Sequence, residues 1–195
     1  MFPGLPIYAS KDLVTWTHIA ELQQSYTKLY GPDGAEELMS AQGGLYAPSI
    51  QYHKVTFYIN FILTTDDIWA NEWSDLIFHD FFGIDTSLFW DDDDRVYLIG
   101  SAAPAPETEI RQFEIDLKTG KKLSEEKLLW EGITKVFPEG PHMYKKDGWY
   151  YLLIAEGGCF ADHHTIMARS KSIWGPFEIN LSNLVMGKTD PNGYI

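Results

Sequence analysis

A single cysteine, Cys159, is all the thiol the sequence holds. That excludes an internal disulfide and leaves the redox compartment undetermined. Basic side chains are scarce: 15 Lys and Arg stand against 28 Asp and Glu, for a formal net charge of −13. Phosphate contacts need a basic footprint, so no nucleic-acid partner is expected, and a neutral substrate suits the chain better. No apolar run approaches the ~18 residues of a membrane span, so the expectation is a soluble chain with no membrane partner. The opening "MFPGLPIYASKDLVTW" has no basic leader and no long apolar stretch before Lys11 and Asp12. Nothing there reads as a signal peptide, and the compartment, extracellular or cytoplasmic, stays open. Helical periodicity is also poor: the best stretch, "GPDGAEELMSAQGG" (31–44), lies between glycine clusters and reads as a loop or single turn.

Several familiar site patterns are missing as well. There is no G-x-S-x-G elbow to mark a serine nucleophile. Asp162, His163 and His164 gather in "ADHH" but lack the spacing of a zinc site, and no distant Cys or His set completes one. Cys159 near His163 reads as a small residue filling a loop rather than as a thiol nucleophile. The run Asp91 to Asp94 lacks the glycine and distal acid of a calcium loop and reads as a solvated turn.

What is present is aromatic and repetitive. Phe, Trp and Tyr make up 15% of 195 residues. Such rings fill cores, and they also supply the flat faces on which a pyranose stacks. The length predicts one domain over 1–195. Three segments share one layout: "APSIQYHKVTFYINF" (47–61), "DTSLFWDDDDRVYLIGS" (85–101) and "GPHMYKKDGWYYLLIAE" (140–156). Each begins with a polar or Pro-containing turn, alternates apolar residues, breaks at a charged turn and resumes as an aromatic-rich strand. This is a β-hairpin, with residues such as Asp147-Gly148 supplying positive φ. "SKDLVTWTHI" (10–19) and "SKSIWGPFEI" (170–179) resemble each other and read as outer strands closing a repeat. "KTGKKLSEEKLLWEG" (118–132) reads as a charged hairpin and an edge strand. From Ser49 to Ser87 to His142 the units are 38 and 55 residues apart, bracketing the ~40 to 50 residues of a four-stranded blade. The spacing predicts an all-β protein built as a β-propeller.

Matching Ser49, Ser87 and His142 puts Ala47, Asp85 and Gly140 in register, with Glu139 one place earlier. The scaffold therefore does not require an acid there. In a propeller the turn entering each first strand opens on the channel mouth, so Asp85 and Glu139 should converge from adjacent blades. Two carboxylates across a sugar-sized gap are what glycoside hydrolysis uses. Burial and a negative neighbour raise a carboxyl pKa and keep it protonated. The alternative is that both acids only accept backbone N–H bonds in turns.

"FPGLPIYASKDLVTW", "GLYAPSI", "GIDTSLFWDDDDRVYLIG", "EIRQFEIDLKTG", "PEGPHMYKKDGWYYLLIAEGG" and "ARSKSIWGPFE" together resemble glycoside hydrolase family 43, in its β-xylosidase and α-L-arabinofuranosidase branch. The match runs in order from residue 2 to about 179. The resemblance implies a five-bladed β-propeller, present here as a partial propeller of roughly three blades plus part of the first. It implies an inverting hydrolase acting on xylo-oligosaccharides or arabinoxylan, with Glu139 of "PEGPH" as general acid and Asp85 of "GIDTS" as the carboxylate that tunes and orients it. Thr86 replaces the usual proline. Tyr46 would line the sugar subsite, and Phe160 and His163 would contact the distal sugar. The family's general base, an Asp in a turn upstream of the "FPG" motif, is expected to be missing, as is the fifth blade. A fragment without the base is expected to be inactive or nearly so, since that group is typically worth ~10²- to 10⁴-fold. No cofactor is implied, although the family admits a structural calcium. A carbohydrate-binding propeller without turnover and a fructoside-cleaving propeller are the competing readings.

Overall fold

The computed structural model describes residues 4–23, 28–30, 36–38, 47–59, 62–102, 107–158, 163–179 and 186–187. Among these there is no helix, and every paired strand runs antiparallel to its neighbour. The chain divides into two compact units, Met1–Phe78 and His79–Ile195.

In the first unit, β1 (Gly4–Ala9) pairs with β2 (Thr17–Gln23), and β3 (Lys28–Tyr30) with β4 (Glu36–Leu38). The stretch that reads in sequence as a loop or single turn thus contributes a strand, because Glu36–Leu38 finds a backbone ladder on Lys28–Tyr30 that local propensity does not announce. A third sheet orders β5 (Ile50–His53), β6 (Thr56–Ile59) and β7 (Leu63–Thr65) as a meander. Ile59 and Leu63 are buried there, with Leu5, Ile7, Trp73 and Leu76 packed against them. The turn from β1 to β2 is closed by side chains. Ser10 Oγ accepts from the Leu13 amide at 2.8 Å, and Asp12 Oδ1 accepts from Val14 and Thr15 at 2.9 and 2.8 Å. The Thr15 and Val14 amides, with the Ser10 hydroxyl donating at 2.9 Å, hold the Asp12 carboxyl down to about 2.

The second unit carries two larger sheets. One orders β8 (Gly83–Trp90), β9 (Val96–Ala102), β10 (Glu109–Glu114) and β11 (Lys127–Trp130) with β8 and β11 at its edges. The other orders β12 (Glu139–Lys146), β13 (Trp149–Glu156), β14 (His164–Ser170) and β15 (Glu178–Ile179), and β16 (Met186–Gly187) also pairs with β14. Each four-stranded path is the up-and-down meander of a propeller blade. Period-two alternation sets the buried faces: along β13, Tyr150, Leu152, Ile154 and Glu156 point inward. Their partners across the unit are Phe89, Tyr97, Ile99 and Ile110 of the other sheet, with Trp130, Trp174 and Phe177 at the margin. The aromatics Phe89, Tyr97 and Tyr150 are therefore core filling. Phe89 meets Tyr150 edge-on at 6.2 Å between centroids, and Tyr97 meets Trp174 at 5.3 Å. The Phe81 ring lies over both Gly83 and Gly100, leaving no room for a Cβ at either.

The three hairpins expected from the sequence are β5–β6, β8–β9 and β12–β13. Asp147 and Gly148 both have positive φ, at 51° and 70°. Lys54 and Val55 take the same shape at 44° and 67° without the usual residues. The acidic turn departs from its sequence reading. Asp92, Asp93 and Asp94 are exposed, but the Asp91 side chain is only 9% exposed and binds Lys145 Nζ at 2.5 Å and the Tyr150 hydroxyl at 2.6 Å. Burial pushes its carboxyl up, and these bonds outweigh that and hold it below the ordinary aspartate value. Asp91 ties the two sheets together, a cross-sheet contact that a run of like residues conceals.

Candidate active site

Two edge strands, β8 and β12, lie side by side in the second unit, and each enters its sheet through a β-bulge. The register of β8 on β9 shifts between Ile84 and Ser87, and that of β12 on β13 shifts between Glu139 and His142. Bulges bend the strand and re-aim side chains, which is why they collect beside functional sites. The bulged positions coincide with the repeat register. Ala47, Asp85 and Gly140 have φ of 41°, 55° and 60°, the left-handed region in all three. Asp tolerates this region better than most residues, and Gly does so without penalty.

Side chains of the β8 sheet hold the backbone around Glu139. The Gly140 amide donates to Asp85 Oδ2 at 3.1 Å. Ser87 Oγ donates to the Pro141 carbonyl at 2.6 Å. Ser101 Oγ and Thr108 Oγ1 both donate to the Pro138 carbonyl, at 2.7 and 2.9 Å. Asp85 therefore does accept a backbone N–H, but from a residue 55 positions away on the next sheet rather than within its own turn.

The electrostatics single out the same residues. Burial raises the Glu139 carboxyl above the ordinary glutamate value, the Asp85 charge raises it further, and His163 pulls the other way. Burial also raises Asp85, against the opposing Gly140 amide and His142. His142 is lowered by burial more than Asp85 can raise it. The two acids are close enough to act on each other, and each favours a bound proton more than an exposed carboxyl does.

His163 is the third sequence-predicted residue that the structure brings here. Its Nδ1 lies 2.5 Å from the Gly158 carbonyl, an acceptor only, so Nδ1 carries the proton. Tyr46 and Phe160 lie outside the described residues, as do Cys159 and Asp162.

Sequence reasoning missed two supports of the site. One is the set of hydroxyls on Ser87, Ser101 and Thr108. The other is Glu156, fully buried, whose carboxylate accepts from Trp130 Nε1 at 3.2 Å, the Ile133 amide at 2.7 Å, and the Thr134 amide and hydroxyl at 2.9 and 2.8 Å. Burial would raise it, but these donors together lower it. It pins the loop leading to Glu139, and the Gly157 amide closes the same loop on the Val136 carbonyl at 2.8 Å. The signal was the inward alternation along β13, which places an acid where an apolar residue belongs. Among the described residues there is no group of three or more His, Cys, Asp or Glu that could hold a metal, and no helix long and apolar enough to cross a membrane.

Blade-like antiparallel meanders, with an interacting acid pair at the entry of adjacent strands, are the architecture of a β-propeller. The family model of glycosyl hydrolases family 43 matches residues 1–195, and the chain belongs to that family. Its fold is the five-bladed β-propeller, of which this chain supplies part. The chain is 36% identical to a xylosidase/arabinosidase of Butyrivibrio fibrisolvens, over 90% of this chain and 37% of the relative. It is 32% identical to xylosidase/arabinosidase 43B of Humicola insolens, over 97% and 38%. Among solved structures, a GH43_12 retrieved from a capybara gut metagenome superposes with a TM-score of 0.81 at 31% identity, covering 96% of this chain and 39% of that one. The chain thus spans less than two fifths of the length of these relatives.

Proposed function

We propose that this chain carries the acid half of a glycoside hydrolase site, and that the whole protein releases terminal xylose or arabinofuranose from xylan-type oligosaccharides with inversion. The observation that carries the reading is the pairing of Glu139 with Asp85: two acids from neighbouring sheets, linked through the Gly140 amide, with Glu139 raised by burial and by the Asp85 charge. A carboxyl whose hold on its proton is strengthened in this way suits the general acid of glycoside hydrolysis. Glu139 gives its proton to the glycosidic oxygen as the bond from that oxygen to the anomeric carbon breaks, and the alcohol departs. Water adds to the opposite face of the anomeric carbon and gives a proton to a second carboxylate. That carboxylate is assigned to no residue of this chain. Asp85 orients the Glu139 segment and sustains its proton affinity. His163, close enough to Glu139 to act on its charge, suits a sugar hydroxyl, and Tyr46 and Phe160 take the subsite roles that the family resemblance implies. The pentose preference rests on relatives that are named xylosidases and arabinosidases.

The test is the initial rate of hydrolysis of 4-nitrophenyl β-D-xyloside and α-L-arabinofuranoside by the protein at its natural full length, with Glu139→Gln beside it. Loss of a general acid is expected to cost ~10²- to 10⁴-fold in kcat with the fold intact. Full activity in Glu139→Gln would remove Glu139 from this role. Sugar binding without turnover in either protein would turn the reading to a carbohydrate-binding propeller.

A further inference from the structure

We propose that Ser101 and Thr108 are positioning residues for Glu139, two hydroxyls of one sheet that fix the Pro138 carbonyl of the next and so set how closely Glu139 stands to Asp85. The inference rests on the reading of Glu139 as the proton donor.

The geometry is unusually specific. A carbonyl oxygen has two lone pairs, and here both sites are filled by side-chain hydroxyls, at 2.7 Å from Ser101 and 2.9 Å from Thr108. Both donors are buried, at 1% and 7% exposure, so water does not compete for them. Pro138 has no N–H and a fixed φ, so its carbonyl is the one backbone group by which it can be held. Pro141 is in the same position, and its carbonyl is taken by Ser87. Between them the Gly140 amide is held by Asp85. From 138 to 141, four side chains of the β8 sheet grip three backbone groups, and the residue inside the grip is Glu139. The hairpin partner contributes only the pairing of Glu139 with Ala155 before the register breaks at the bulge. The hydroxyls thus fix the segment where the strand ladder is interrupted. Displacing a proton donor by about 1 Å can cost about 10²-fold in rate, which gives such a clamp its use.

A purely structural pair of hydroxyls would contribute to stability without altering the proton affinity of Glu139. The discriminating readout is therefore a ¹³C NMR titration of the Glu139 side-chain carboxyl, assigned by its loss in Glu139→Gln. The proteins, all at the natural full length, are the wild type, Ser101→Ala, Thr108→Val, the double variant and Thr108→Ser. Loosening the segment admits water and separates Glu139 from Asp85. The Glu139 midpoint should then fall toward the ordinary glutamate value in each hydroxyl-less variant, most in the double, and Thr108→Ser should restore it. With aryl glycosides, kcat should fall about 10-fold or more with KM little changed, and the alkaline limb of the rate profile should move to lower pH with the NMR midpoint. An unchanged midpoint in the folded single variants overturns the proposal, even if the double variant does not fold. If the wild type hydrolyses neither glycoside, or Glu139→Gln retains full rate, the general-acid reading fails, and the titration still decides whether the hydroxyls position Glu139.

Discussion

Asp85 has two jobs that can be separated by a single atom. Asp85→Asn keeps an oxygen to accept the Gly140 amide and removes the charge that adds to the burial effect on Glu139. The Glu139 value should fall but stay above an exposed glutamate, because burial is the larger cause. An acid that must be protonated then loses activity at lower pH. The alkaline limb of kcat against pH is expected to shift acidward while the acid limb holds, and an unshifted profile would show that the two carboxyls do not communicate. Glu156 has the opposite sign. Its folded value is depressed, so its stabilisation is full above the ordinary glutamate value and is lost as pH falls through the folded one. Glu156→Gln turns an amide toward groups that all donate, and leaving such donors unmatched should cost about 1–3 kcal/mol. Urea unfolding at pH 7 should show that loss, and the gap between variant and wild type should narrow toward pH 3.

Among the strands, hairpin turns carry the most visible local conflict. Val55 is β-branched, sits at φ 67° and is 69% exposed, so it strains the backbone without burying anything in return. Val55→Gly should relieve that strain and stabilise the first unit by about 1 kcal/mol. A thermal melt no higher than wild type would mean that the β5–β6 turn is held by other contacts. Asp147-Gly148, the equivalent turn in β12–β13, already has the permissive residues, and replacing Gly148 there should destabilise. The bulges at Asp85 and Gly140 are a different case: the same conformation recurs because the site needs the strand re-aimed. The alignment of Ala47, Asp85 and Gly140 gave the register of these positions but not their shared positive φ, since three unlike residues adopt it and leave no common turn chemistry in sequence. The strand at Glu36–Leu38 was not legible, because its stability comes from pairing rather than from its own residues.

At the scale of the whole molecule, what could be read was whatever recurs along the chain, and what could not was whatever crosses between sheets. The hairpins, the edge strand Lys127–Trp130 and the approach of Asp85 and His163 to Glu139 follow from period, spacing and resemblance. The Ser101 and Thr108 bonds to Pro138 join residues 37 and 30 positions apart with no motif to connect them, and the Asp91 tie to Lys145 spans 54. Such contacts are tertiary facts with no local signature. The Phe81 ring, set over Gly83 and Gly100, carries a consequence for how the sequence can drift. A Cβ at Gly83 would strike the Ser101 carbonyl as well as the ring, whereas at Gly100 the ring is the main obstacle, with Thr86 Cγ2 next at 3.1 Å. Gly100→Ala alone should therefore destabilise, and Phe81→Leu should rescue it in part. Gly83→Ala should find no such rescue, which a double-mutant cycle in urea would measure. Over evolutionary time, residues 81 and 100 should covary, while 83 stays glycine whatever its neighbours become.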